Sequence, residues 1–410
     1  MLQKNPQLGV HKLAILLVLA MQSTYHTNKW KLFLSNLGND STFSLGVFVI
    51  FMLFAGLSLA QISLIISAQL IITSLGSLPG GLFADRYGHK KALLYGSIIF
   101  LLGTTIFAFG QNFYWFLVGC SLIGLGIAFK TGTQYAVLYE GLRADGYEAD
   151  YKRVAGKIDL FTNIFWVASS ILGGVLYSLN HRLPFYGEIA VALASVIGIY
   201  LLVEPKIEKP TISIVKQIQV SLKTSFTKKN FSKIFIFSAF IGSIALLTIQ
   251  YVQPLYKSVH IPEASFGLIA AVLFVMRGTG SWFSKQLGTF FSVDKYLVMH
   301  AATFGLFLIL IQRVNTALFI LPILAVLYFL RGLYNPTISN YINDRVGSEQ
   351  RATLLSINNQ LLSLTTSFFL IITGFIAGRN GLQAVFFTIS IFSMIFLILY
   401  VLFLRKIETG

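Results

Sequence analysis

The chain has 410 residues, 55% of them hydrophobic and 11% charged, with a mean hydropathy of +0.75. An ordinary soluble domain carries roughly 25% charged residues, so soluble folds, disordered chains and secreted disulfide scaffolds are excluded together. The formal net charge of +16 has to be judged from where the cations sit, and the single cysteine, Cys120, excludes an internal disulfide.

A bilayer core takes about 20 mostly apolar residues per helix. Twelve stretches meet that length, at about 31–54, 58–83, 92–110, 113–140, 154–178, 184–203, 234–256, 264–287, 295–312, 315–341, 353–377 and 382–404. They are numbered spans 1 to 12, and they predict an all-α membrane protein. Glycine pairs such as Gly173-Gly174 and Gly278-Thr279-Gly280 suit close helix contact in lipid. Ahead of span 1, Leu13–Met21 is apolar but too short to cross, and no small-residue cleavage site follows it. It reads as an amphipathic segment on the membrane surface rather than a signal peptide.

The cations give the orientation. Four lie near the amino terminus (Lys4, Lys12, Lys29, Lys31) and twenty follow the even-numbered spans. Only Arg182, Lys257, Arg313 and Arg379 follow odd-numbered ones. Such alternation is the positive-inside pattern, so both termini are expected in the cytoplasm and a nucleic-acid role is set aside. The longest basic stretch, 204–233, carries seven lysines and suits the anionic inner leaflet. It divides the chain into a surface segment (1–30), a six-span half (31–203), the linker (204–233), a second six-span half (234–405) and a short tail (406–410). Two six-helix blocks about an axis along the membrane normal form one known transporter architecture.

After span 2 stands Gly81-Leu82-Phe83-Ala84-Asp85-Arg86-Tyr87-Gly88-His89-Lys90-Lys91. Gly81 is expected to permit close packing, Gly88 to permit the tight reversal, and Lys90 and Lys91 to anchor the loop at the inner surface. This run resembles the Gly-x-x-x-Asp-Arg-x-Gly-basic-basic signature of the major facilitator superfamily, in the loop where that family carries it. The resemblance implies twelve helices in two pseudo-symmetric halves that rock about a central cavity. It also implies a conformational latch made by Gly81, Asp85, Arg86, Gly88, His89 and Lys90 with an acid at the inner end of span 4, here Glu140. His89 stands where the family usually has Arg or Lys, which opens the latch to titration near neutral pH. An arginine early in span 4 and a Gly-Pro pair in span 5, frequent in the drug–proton antiporter branch, are both missing from this chain.

A charge at the centre of a span costs about 2.5–3.5 kcal/mol on insertion scales. Five such residues need a reason: Asp40, Lys130, Asp159, Arg277 and Arg331. The family places spans 1, 4, 7 and 10 around the cavity with 2, 5, 8 and 11 beside them, and all five charges fall in those two sets. Asp40 and Asp159 are the proton-coupling candidates, each with a structural pairing as the alternative; Lys157 or the span 4–5 loop is the partner expected for Asp159. Lys130, Arg277 and Arg331 leave the interior with an excess cation, which favours an anionic or zwitterionic cargo. Gln250, Tyr251 and Gln253 in span 7, Gln134 and Tyr135 in span 4, and Asn358, Asn359 and Gln360 in span 11 are further contact candidates, or interhelical glue. Glu188, near the outer end of span 6, is that span's one charge.

The histidines show no metal spacing, and neither a phosphate-binding P-loop nor a nucleophile elbow is present. The reading is a monomeric secondary transporter in the cell membrane, without cofactor and not an enzyme, that moves a small organic solute with protons, export ahead of import. An uptake symporter, an uncoupled facilitator, a lipid-modifying membrane enzyme and a silent sensor are the alternatives.

Overall fold

A computed structural model describes residues 24–38, 42–204, 229–288, 292–314, 316–345 and 348–404. The surface segment at Leu13–Met21, Asp40 and the linker from 205 to 228 lie outside the described residues. Within them all regular structure is helical, including two short 3-10 turns at Glu148–Asp150 and Glu263–Ser265, and no strand occurs. Ten helices are long and apolar enough to cross a membrane. The last, Ser348–Leu404, is two helices that meet at Gly381, where φ is +80°. Span 1 supplies the remaining crossing in two pieces, Thr24–Leu37 and Phe48–Phe54. The fold is thus the expected all-α membrane protein of twelve spans.

Local chemistry sets the helix ends. Ser58 and Gln61 form a reciprocal capping box at the start of span 2, and the Asn112 side chain accepts from Tyr114 N–H and Trp115 N–H at the start of span 4. Spans 2 and 3 join through one residue, Gly88, at φ +103°. A Cβ there would stand 2.6 Å from Glu204 Oε1, and the same oxygen accepts from Lys90 N–H at 3.0 Å. Gly88 therefore serves the tight turn as expected, whereas Gly81 does not pack. A Cβ on Gly81 would meet nothing, and the close approach belongs to its neighbour Gly80, against the backbone of Ala128 and Phe129. On a helix the adjacent residue points about 100° away, enough to turn Gly81 off the contact. Span 1 is already helical ahead of the expected 31, over Thr24–Leu37, and Asn28 and Val203 exchange two hydrogen bonds that hold this basic end against span 6.

Among the contacts between the two halves are two seams at the face opposite the basic loops. In the first, spans 5 and 8 touch backbone to backbone: a Cβ on Gly267 would collide with the Ser170 carbonyl, and one on Gly174 with Gly267 itself. Ser170 Oγ donates to Gly267 O at 3.2 Å. In the second, spans 2 and 11 pair through Ser67 Oγ to Ser367 O at 3.1 Å, with Tyr251 OH placed between Ser63 Oγ and Thr373 Oγ1. Small residues let the backbones approach, as helix contacts in lipid require. Replacing Gly267 with Val should force this seam apart. Phe43, whose carbonyl packs on Gly173 beside the seam, is the reporter: thiol labelling of Phe43→Cys should rise several-fold from that face, and an unchanged labelling rate would show that the seam has room to spare.

Candidate functional site

Between the halves lies a cavity of about 700 Å³ whose lining includes Asn36, Lys130, Gln134, Asp159, Trp166 and Arg277, with Asn335 from span 10. Trp166 and Phe274 stand edge to face with ring centres 6.0 Å apart, and beyond them the Ser170–Gly267 seam begins. The cavity is therefore blind toward the seams and lies on the side of the basic loops.

Its walls follow from two interruptions of the helices. Span 4 breaks after Lys130, resumes at Thr133, and turns on Gly132 in the left-handed region at φ +80°. Lys130 sits at that break, 4% exposed. Its Nζ donates to Gly38 O at 2.7 Å and lies 4.1 Å from the centre of the Phe100 ring. Gly38 directly follows the helix Thr24–Leu37, so the ammonium meets the carbonyl end of the helix dipole. Gln134 Nε2 donates to Ser35 Oγ at 3.3 Å and ties span 4 to the same helix end.

The break in span 1 leaves backbone groups that lipid cannot satisfy. Two side chains do so. Glu188 of span 6, 4% exposed, accepts from Thr42 N–H at 2.8 Å, from Ser44 N–H at 3.2 Å and from Ser44 Oγ at 3.1 Å. Gln253 of span 7 accepts from Val49 N–H and Ile50 N–H at 2.8 and 3.2 Å, and donates to Leu45 O at 3.0 Å. From sequence Gln253 stands beside Gln250 as a contact candidate and Glu188 as the charge of span 6 near its outer end; the structure gives both to the broken backbone instead.

The remaining candidates divide. Asp159 lines the cavity, and its partner is Tyr135 OH at 2.9 Å rather than the expected Lys157 or loop. Arg277 lines it too, with its guanidinium 5.4 Å from the Phe274 ring centre. Arg331 does not line it. It is buried one helical turn beyond Asn335 toward the blind end, over the Tyr334 ring at 5.3 Å, with Nε and Nη1 lacking a hydrogen-bond partner among the described residues. Asn358 accepts from Ser238 Oγ at 3.1 Å and packs spans 7 and 11 together. Gln250 is half-buried and away from the lining. Asp40 is outside the described residues. No cluster of His, Cys, Asp or Glu suited to a metal occurs among the described residues.

Around the span 2–3 loop, His89 Nε2 stands 3.1 Å from Glu140 Oε1. Arg86 lies over Tyr87 at 5.3 Å, and Lys90 Nζ is 5.9 Å from the Tyr200 ring. Asp85 makes no ion pair among the described residues.

The family model described as Major Facilitator Superfamily matches residues 17–260 and 234–410. The chain belongs to the Major Facilitator Superfamily. It is 24% identical over 380 residues to the uncharacterized MFS-type transporter YxaM of Bacillus subtilis, covering 86% of this chain and 90% of that one. It is 25% identical over 308 residues to the quinolone resistance protein NorA of Staphylococcus aureus, covering 72% and 75%. Among solved structures, a mutant of the nucleoside transporter NupG superposes with a TM-score of 0.80 at 13% identity, over 91% of this chain and 99% of that one. This superfamily member is a multi-pass membrane transporter by family, and its cavity lies where the two halves face each other.

Two expected outcomes follow from the geometry. Gln253→Ala removes the acceptor of two buried N–H groups, each worth about 1–3 kcal/mol when left unpaired. It should lower the melting temperature of the purified protein, and an unchanged melting point would separate Gln253 from the integrity of span 1. The His89–Glu140 contact is charge-assisted when the imidazole is protonated and an ordinary hydrogen bond when it is neutral. The hydrogen bond to Glu140 holds the His89 imidazole above its ordinary range near 6.5, so the contact stays charge-assisted past that range and weakens only as pH rises through the raised value. His89→Arg should flatten the dependence of cysteine accessibility on pH between about 5.5 and 8.5; a slope equal to that of the wild type would place the titration elsewhere.

Proposed function

We propose that this chain is a proton-coupled secondary transporter that exports a small organic solute by alternating access. The observation that carries the reading is the blind cavity lined from both halves, with Lys130, Asp159 and Arg277 on its walls. Charged groups at this depth are tolerated where they line a wet path, and such residues mark cargo and proton routes. Sidedness rests on the charge alternation: the basic loops face the cytoplasm, both termini with them, and the cavity is open inward. The halves run from 31 to 203 and from 234 to 405, joined by the linker at 204–233, and the chain acts as a monomeric carrier rather than an enzyme.

Asp40 and Asp159 carry the proton. Asp159 lines the cavity and accepts from the Tyr135 hydroxyl at 2.9 Å. Lys130 and Arg277 beside Asp159 give the cavity wall a positive balance, which attracts a cargo with an acidic group. Arg331, behind the blind end, joins that positive field. The latch is Asp85, Arg86, Gly88, His89 and Lys90 acting with Glu140, and the His89–Glu140 contact supports it. Export is favoured over uptake by the likeness to NorA, whose name is that of a resistance protein.

The test compares intracellular metabolites and drug susceptibility in a deletion strain and its parent, then follows the accumulating compound in everted vesicles under a pH gradient. Asp40→Asn and Asp159→Asn together should reduce gradient-driven transport by at least about tenfold, the scale of a lost proton-transfer group, with insertion unchanged. Identical metabolite pools and susceptibilities, or full rates in the double variant, would overturn the reading.

A further inference from the structure

We infer that a groove on the lipid-facing side of span 5, at the basic face, is a binding site for an anionic phospholipid. The groove has a volume of about 550 Å³ and is lined by Lys29, Trp30 and Phe33 from span 1 and by Arg153, Lys157 and Phe161 from span 5, with Asp150 at its rim. Three cations against one carboxylate give a positive site at the depth of the headgroups, where such pockets between helices recognise acidic lipids. Arg153 can take a phosphate through two parallel N–H groups. Trp30 is 47% exposed, in the position at which indole rings favour the membrane interface.

The apolar half of the groove argues for a lipid rather than free phosphate. Phe33 and Phe161 meet edge to face with centres 6.4 Å apart. From Phe161 an exposed stripe continues at helical spacing through Ile164, Leu172, Val175 and Leu179, 46–73% exposed, to the opposite end of span 5. A diacyl chain laid along that stripe keeps its phosphate beside Arg153 and Lys157. The transport cavity is on the other side of the same helix, lined by Asp159, Thr162 and Trp166. The lipid site therefore stands apart from the cargo site and does not depend on what is carried.

The experiment is native mass spectrometry of the full-length protein in a mild detergent, titrated separately with dioleoyl-phosphatidylglycerol, dioleoyl-phosphatidylcholine and glycerol 3-phosphate. Phosphatidylglycerol should saturate one tight site at least about tenfold more strongly than phosphatidylcholine, and more weakly as salt rises. The double variant Arg153→Gln, Lys157→Gln should bind it about thirtyfold more weakly, the effect of two lost cation contacts. If the double variant does not fold, Lys157→Gln alone should lose about fivefold. Equal retention of the two lipids, undiminished binding in the variants, or displacement of the lipid by glycerol 3-phosphate at comparable concentration would each overturn the site.

Discussion

Backbone amides inside a bilayer have no water to turn to, and this chain interrupts its first span where that matters most. At the described residues 38 and 42–47 the helix is lost, and the orphaned groups are taken up by side chains from three other spans. Lys130 meets the carbonyl end, Glu188 gathers the N–H groups of Thr42 and Ser44, and Gln253 covers the first turn of the second piece. Membrane structures admit irregular backbone only where protein encloses it. The positions of spans 4, 6 and 7 around span 1 are fixed by that requirement. Since Gln253 belongs to the second half and Val49 and Ile50 to the first, the repair also joins the halves.

The same arrangement explains why a lysine is tolerated at the heart of span 4. Its ammonium has a carbonyl acceptor and an aromatic face, which together offset much of its lost hydration. It lines the cavity while performing this structural task. Arg331 has a different setting, shielded by tyrosine and without acceptors on two nitrogens among the described residues. The two cations separate chemically: one is held in the wall, the other is set behind it.

Most of the architecture was legible in the sequence because lipid imposes a crude and strong rule, and twelve apolar runs separated by alternating charge leave few options. The loop at Asp85–Lys91 gave the family for the same reason, since glycine, acid and cation at fixed spacing are readable without contacts. The site was only partly legible. Lys130, Gln134, Asp159 and Arg277 do share one cavity, since charge in an apolar run is conspicuous. Glu188 and Gln253 were visible as polar residues in apolar runs, but their task was not, because their partners are backbone groups, which have no letter in the sequence. Asn358 and Arg331 looked like their cavity counterparts, and only helix rotation separates a residue facing the chamber from one facing a neighbouring helix. Gly80 and Gly81 differ in the same way, by a single step around the helix.

The seams at the closed face are made of glycine, serine and backbone carbonyls, with few long side chains. Side-chain rotamer freedom is lost whenever flexible groups interlock, and glycine and alanine have none to lose. Parting and rejoining such surfaces therefore leaves the rotameric disorder of the protein almost unchanged. Under the alternating access proposed above, the closed face would open and reseal with little rotameric cost, and the latch and the cargo would set the balance between its two positions.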